Sequence, residues 1–425
     1  MERREYPRLG ETVWHEVLPN GLPVYVLTRP ESSEQFACFA VRCGGASTRI
    51  PDGRGGWEDL PAGTAHYLEH KMFDTEGGSA SDRFGETGAS DNAFTSETMT
   101  AYYFTGTRDF EENLRTLLKM VSIPWFTRES VDKERGIIAQ EIRMNEDDPY
   151  DESYCRLMEL MYAADPVKTR VVGSVESIQD ITPELLYRFH RVFYRPENMV
   201  LAAGGALDPA RVCAVAREVL GDQPSGPAWE PPMVSEPAEC VRTGGEAEME
   251  VSMPTFQLGI KGDGAPAGSR LRQELLARLA CDALAGPSAP LYSRLYGAGL
   301  INGDFSCYYD EATDTSARLV FSGESRDPAR VREELLNEAA RLSREGIDPA
   351  LWERLTRAAY GGRLHELDYL RDTCIDIAAA HFDGEDYLNF PALCASLRRE
   401  EAEALLGRWC VPERTALFVA LPAEK

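Results

Sequence analysis

Two histidines four residues apart with a glutamate between them, His66, Glu69 and His70, are the residues of this chain best placed to do chemistry. On a helix, positions i and i+4 share a face, so both imidazoles can converge on one ion, and Glu69, at i+3 from His66, points the same way. The H-x-x-E-H order is the inverted form of a zinc-site motif. A zinc ion (Zn2+) held by two imidazoles and one distant carboxylate keeps a position for water and lowers that water's pKa to about 7, which leaves the glutamate free to take the proton. Such a set suits the hydrolysis of a peptide bond. A lone histidine on a helix is ordinarily a packed or surface residue, but a pair at ligand spacing beside a glutamate predicts a metal site, one ion per chain.

A third ligand has to come from elsewhere, and Glu141 is the candidate. It lies in Val131 to Asn145, where Val131, Ile137, Ile138 and Ile142 give helical periodicity. Thr127 or Ser130 can cap this helix, and Asp147-Asp148-Pro149 ends it. Glu134 precedes Glu141 by about two turns on the same face, where its carboxylate could hydrogen-bond a ligand histidine and fix its tautomer. Two readings of this face stand side by side. It is either a ligand-bearing face or a solvated acidic one, since Glu146, Asp147 and Asp148 crowd nearby.

The elements that must position these residues read as an α+β layered domain. Val13 to Leu18 and Val24 to Thr28 form a hairpin turning at Asn20-Gly21, and Phe36 to Arg42 continues the sheet. A glycine-containing loop leads into the motif helix, for which Thr64 is the expected N-cap. Ser79 to Thr87 is a short helix closed by Gly88. Strands at Ala101 to Thr105 and Met199 to Gly204 are separated by helices near 109–121, 127–146, 150–163 and 182–192. Asn92, Ala93, Phe94 and Thr95 precede the first of these strands.

From 221 to 245 the composition shifts to proline and glycine, the mark of a linker between residues 1–220 and 246–425. The second half repeats the first in coarse order, with a strand at Phe256 to Gly262, a helix at Leu271 to Leu284, paired strands at Asp304 to Tyr309 and Ala317 to Ser322, and two helices. Ile347 to Arg354 echoes Phe126 to Arg135, which puts Tyr360 where Glu141 would be. The helix matching the motif, Glu274 to Cys281, holds no histidine. The second domain is therefore expected to lack a metal.

Together, the run His66 to Phe73, the glycine-punctuated Gly77 to Gly88, Asn92 to Thr95, and Glu134-Arg135 followed by Glu141 resemble the insulinase/pitrilysin (inverzincin) metallopeptidases. The wording around the motif looks most like a bacterial subgroup associated with elongation factor P modification and like heterodimeric proteases that process peptide leaders. The resemblance implies two homologous layered domains, each an antiparallel sheet flanked by helices. It implies that His66, His70 and Glu141 ligate zinc, that Glu69 is the general base and that Glu134 supports a ligand. It also implies a zinc metalloendopeptidase acting on short or unfolded peptides. In that family the strand edge matching Asn92 to Thr95 pairs with the substrate backbone, although Phe94 and Tyr102 would pack in any sheet. Active relatives carry an Arg and a Tyr near an Arg-Gly-Leu-x-Tyr segment of the second half, and in the matching stretch here, Leu295 to Asn302, the Arg and Tyr are not in that arrangement. A related zinc-free subunit is expected to supply the pair in a heterodimer, with a homodimer as the other arrangement. A second class of function, a non-catalytic binding or assembly subunit, stands beside the enzyme, although such subunits generally lose motif residues.

Composition narrows the setting. At roughly 100 to 200 residues per domain, 425 residues suggest two or three. The charged N-terminus has no apolar stretch behind it, and no run approaches the roughly 18 apolar residues of a membrane span, so the cytoplasm is the expected compartment. Ten scattered cysteines without C-x-x-C spacing read as reduced and structural. A net charge of −25 argues against nucleic acid and anionic membrane as partners and suits a basic peptide, although solubility alone also explains it. His15, His190, His365 and His381 have no partner at ligand spacing, and no glycine pair has the context of a phosphate loop.

Overall fold

Runs rich in β-branched and aromatic residues become strands here, and the longer periodic stretches become helices. The structure, a computed structural model, describes residues 1–425 apart from 224, 225, 227–233, 267, 424 and 425. Much of the expected linker, including Pro224, Pro227, Pro231 and Pro232, lies outside the described residues.

In chain order the first half runs β1 (Glu2–Tyr6), β2 (Glu11–Val17), β3 (Pro23–Thr28), β4 (Gln35–Val41), β5 (Arg49–Pro51), β6 (Trp57–Asp59), α1 (Thr64–Met72), β7 (Asp74–Thr75), β8 (Gly78–Ser79) and α2 (Ala80–Thr87). It continues with β9 (Ser90–Thr95), β10 (Thr100–Gly106), α3 (Phe110–Ser122), α4 (Arg128–Asp147), α5 (Pro149–Met161), α6 (Pro183–Phe193), β11 (Met199–Gly205) and α7 (Pro209–Leu220). The second half runs β12 (Gly244–Met249), β13 (Thr255–Lys261), α8 (Arg270–Ala285), α9 (Pro290–Gly297), β14 (Ser306–Asp310), β15 (Arg318–Glu324), α10 (Pro328–Glu345), α11 (Pro349–Glu366), α12 (Leu370–Phe382), α13 (Phe390–Ser396), α14 (Arg399–Trp409) and β16 (Thr415–Pro422). β1 was not expected from the sequence. Its Glu-Arg-Arg-Glu-Tyr composition suits an exposed sheet edge, where charge replaces the alternation that marks a half-buried strand.

The chain forms two units, each built from discontinuous segments. The first comprises Met1–Ile142, Arg170–Pro232 and Leu364–Asn389. Its seven-stranded sheet has the order β1-β2-β3-β11-β4-β10-β9, antiparallel except for the β11/β3 pair. Residues of α1, α3, α4, α6 and α7 join one hydrophobic core with Val24, Val26, Phe39, Tyr102, Phe104 and Leu201 of this sheet. α12, from the second half of the chain, packs on β4 and β11. Gly204 makes that approach possible, because a Cβ there would sit 2.5 Å from Leu370 Cδ1 and 2.8 Å from Cys374 Sγ. Gly204→Val is expected to cost about 1–3 kcal/mol by overpacking, read from urea unfolding.

The second unit comprises Arg143–Thr169, Met233–Arg363 and Phe390–Lys425. Its five-stranded sheet has the order β12-β16-β13-β15-β14, antiparallel except for β12/β16. α5, from the first half, packs on β12, β13 and β16, and α8, α10 and α14 pack on one another. Each unit is thus an α+β layered sheet that borrows one helix from the other half of the chain.

None of the ten cysteines forms a disulfide, and Cys38, Cys43, Cys213, Cys281, Cys374, Cys394 and Cys410 are buried. Burial pushes Cys38, Cys43 and Cys410 up to about 12, which suits small core hydrophobes. Among the described residues no helix is long and apolar enough to cross a membrane.

His190 shows what a histidine outside the motif does. It is buried, its Nε2 donates to the Val121 carbonyl at 3.0 Å, and desolvation pushes its pKa down to about 4. An unfolded histidine titrates near 6.5, so the unfolded chain binds the extra proton first. Stability from this group is complete above that value and is lost as pH falls toward 4. Urea unfolding at pH 7 and pH 5 should differ by about 2 kcal/mol more in the native chain than in His190→Asn.

Candidate metal centre

α1 sets two histidines on one face. Gly63, not Thr64, takes the N-cap position, with φ 89°, and Thr64 is the first helical residue with its hydroxyl donating to the Pro61 carbonyl at 2.6 Å. The left-handed backbone at the cap costs glycine little, whereas a β-branched threonine would be strained there. The His66 and His70 rings lie 4.6 Å apart, centroid to centroid. α4 begins at a Thr127 cap, whose Oγ1 accepts from the Ser130 N–H at 3.1 Å, and runs beside α1. It carries Glu134 and Glu141 two turns apart.

Three donors converge. Glu141 Oε1 lies 3.5 Å from His66 Nε2, and Glu141 Oε2 lies 3.6 Å from His70 Nε2. One ligand atom from each of His66, His70 and Glu141 falls within 4.8 Å of the others, and this is the only such group of three among the described residues. Donors bonded to a tetrahedral zinc ion at about 2.0–2.2 Å stand roughly 3.4 Å apart, so the spacing fits that ion. Charge agrees: Glu69, Glu134 and Glu141 surround two imidazoles, an excess of negative charge that a divalent cation offsets.

Around the donors sit the supporting groups. Glu134 Oε1 lies 3.0 Å from His70 Nδ1, so that nitrogen carries the hydrogen and His70 Nε2 is left as the free donor. The His70 hydrogen bond holds the Glu134 carboxyl below its usual range. His66 hydrogen bonding does the same for Glu141. Burial alone would lower His70, but the Glu134 hydrogen bond and the neighbouring carboxylates outweigh it and leave the imidazole raised. His66 Nδ1 is buried without a hydrogen-bond partner among the described residues. Glu69 is 7% exposed, and its burial pushes its carboxyl up, against the opposing pull of Thr95 and the two imidazoles.

Thr95 Oγ1 donates to Glu69 Oε2 at 2.5 Å. This contact was not foreseen. Thr95 ends β9, which pairs with β10 alone and forms one edge of the sheet. Ala93 packs on the core while Asn92 is exposed, and Phe94 lies 6.5 Å from the Tyr103 ring. The structure therefore brings His66, Glu69, His70, Glu134, Glu141 and Thr95 together, and sets Asn92, Ala93 and Phe94 along the edge strand that leads to them.

The chain matches the family profile described as insulinase (peptidase family M16) over residues 57–174, and that of the peptidase M16 inactive domain over residues 180–358. A Bacillus subtilis protein named uncharacterized zinc protease YmfH is 39% identical over 307 residues, covering 71% of this chain and 72% of that one. The beta subunit of the mitochondrial-processing peptidase of Saccharomyces cerevisiae is 27% identical over 213 residues, covering 49% of this chain and 44% of that one. A crystal structure of an M16-like peptidase from Alicyclobacillus acidocaldarius superposes with a TM-score of 0.90 at 30% identity, over 99% of this chain and 100% of that one. The chain belongs to the insulinase/pitrilysin family of metallopeptidases, peptidase family M16.

Proposed function

We propose that this chain is a zinc-dependent peptidase in which His66, His70 and Glu141 hold the metal and Glu69 is the general base. The observation that carries the reading is the convergence of His66 Nε2, His70 Nε2 and the Glu141 carboxylate beside a buried Glu69 that contributes no donor to that group. A zinc ion held there supplies a polarised, readily deprotonated water at neutral pH. The chain's own residues do the rest. With Glu69 Oε2 engaged by Thr95, Oε1 is the free oxygen that takes the proton from the water and passes it to the leaving amine. Burial raises the carboxyl above its usual range, which strengthens it as the base that takes the proton. Glu134 fixes the His70 tautomer.

β9 supplies the substrate surface. An extended peptide adds a strand at Asn92, Ala93, Phe94 and Thr95, which brings a backbone carbonyl past Glu69. Backbone pairing favours short or unfolded peptides, leader peptides among them. A cytoplasmic setting keeps the ten thiols reduced. Because Leu295 to Asn302 does not hold an Arg and a Tyr in the arrangement of self-sufficient relatives, a related zinc-free subunit completes the enzyme as a heterodimer. Dialysis of the chain against a strong chelator should abolish peptide hydrolysis, and one equivalent of zinc should restore it. A folded chain that never binds zinc would instead be a binding subunit. Adding the partner co-purified from the native host should raise turnover, and full activity of the chain alone would remove the heterodimer.

A further inference from the structure

α1 presents a second pair of side chains, Tyr67 and Lys71, each one position past a motif histidine. Both are buried, at 0% and 1% exposure, although a helix lysine ordinarily reaches solvent. The Tyr67 hydroxyl donates to the Val131 carbonyl at 2.5 Å. Lys71 Nζ donates to the Ser130 carbonyl at 3.3 Å and pairs with Asp74. Two consecutive carbonyls in the first turns of α4 are therefore held by two consecutive turns of α1.

Glu134 follows those carbonyls by about one helical turn and Glu141 by about three. A one-residue slip of α4 would translate both carboxylates by about 1.5 Å and rotate them by about 100°. Arg135 also ties α4 to the Ile178 and Ile181 carbonyls, and Val131, Ile138 and Ile142 pack in the core, but among the described residues the remaining α1 to α4 hydrogen bonds and ion pairs are those of His66 and His70. We propose that Tyr67 and Lys71 are positioning residues that set α4 on α1, so that Glu134 meets His70 Nδ1 and Glu141 meets both Nε2 atoms. The inference rests on the metal reading above. Neither residue ligates, and the Tyr67 ring is also part of the core.

The test uses the full chain and measures zinc affinity by chelator competition, together with the apo-protein melting temperature. Tyr67→Phe keeps the ring and removes one hydrogen bond, and Lys71→Met keeps most of the stem. Each is expected to raise the zinc Kd about 10-fold, and the pair about 100-fold, the range for groups that orient ligands. Val215→Ala, at a buried core position on α7, is expected to lower the melting temperature and leave the Kd unchanged. If the native chain binds zinc tightly and Tyr67→Phe binds it within two-fold, the positioning role is overturned and the metal site stands. If the native chain itself binds no zinc, both fall. Should Lys71→Met not fold, the Tyr67→Phe comparison still decides.

Discussion

Glu69→Gln is expected to lower peptide turnover by about 100- to 10,000-fold, the usual contribution of a positioned acid or base, while zinc stays bound. Glutamine keeps the shape of the side chain and can still accept the Thr95 hydroxyl, so the pocket survives. What it loses is a basic oxygen. The donors that converge on the metal position, from His66, His70 and Glu141, are untouched. Initial rates and metal content measured on one preparation separate the two effects. Unchanged turnover would remove Glu69 as the base, and loss of zinc with turnover would make it a ligand.

The second large effect concerns stability. Lys261 and Glu236 are buried, with side chains 1% and 2% exposed, and their charged atoms lie 2.6 Å apart. Lys261 Nζ also donates to the Met161 carbonyl at 3.0 Å and sits 4.6 Å over the Tyr162 ring. Glu236 accepts the N–H groups of Ala163, Ala164 and Asp165 at 2.9, 2.7 and 2.7 Å. Desolvation pushes Glu236 up, but Lys261 and these N–H groups win and hold it low. A lowered carboxyl stabilises the fold above its unfolded pKa and loses that contribution as acid titrates it. Glu236→Leu leaves a buried ammonium without its counter-charge and should cost about 3–5 kcal/mol, a large part of a total near 5–15 kcal/mol. Adding Lys261→Met should recover most of that loss in urea unfolding. A single variant as stable as the native chain would show the pair to be dispensable.

The motif histidines and Glu141 were legible because ligand chemistry restricts both residue type and helical spacing. The strands from Pro23 to Thr28 and Gln35 to Val41 were legible because their apolar runs end at turn residues. Other features depend on tertiary contact alone. The amphipathic pattern of α5 and α12 says that each buries a face but not which sheet receives it, so their exchange between the halves leaves no local mark. Lys71 reads as a surface residue until Ser130 and Asp74 are seen around it. Glu236 sits in a stretch whose composition marks a linker, yet the structure ties it to the end of α5 and to β13. Thr95 was expected at the strand edge, but its bond to Glu69 arises only because α1 packs against β9.

Zinc-edge X-ray absorption on the chain reloaded with one equivalent of zinc reads the coordination shell without relying on turnover. The expected shell is two imidazole nitrogens and carboxylate and water oxygens at about 2.0–2.2 Å, with Glu141→Gln losing tight binding. A shell containing sulfur at about 2.3 Å, or tight zinc binding that survives Glu141→Gln unchanged, would contradict it.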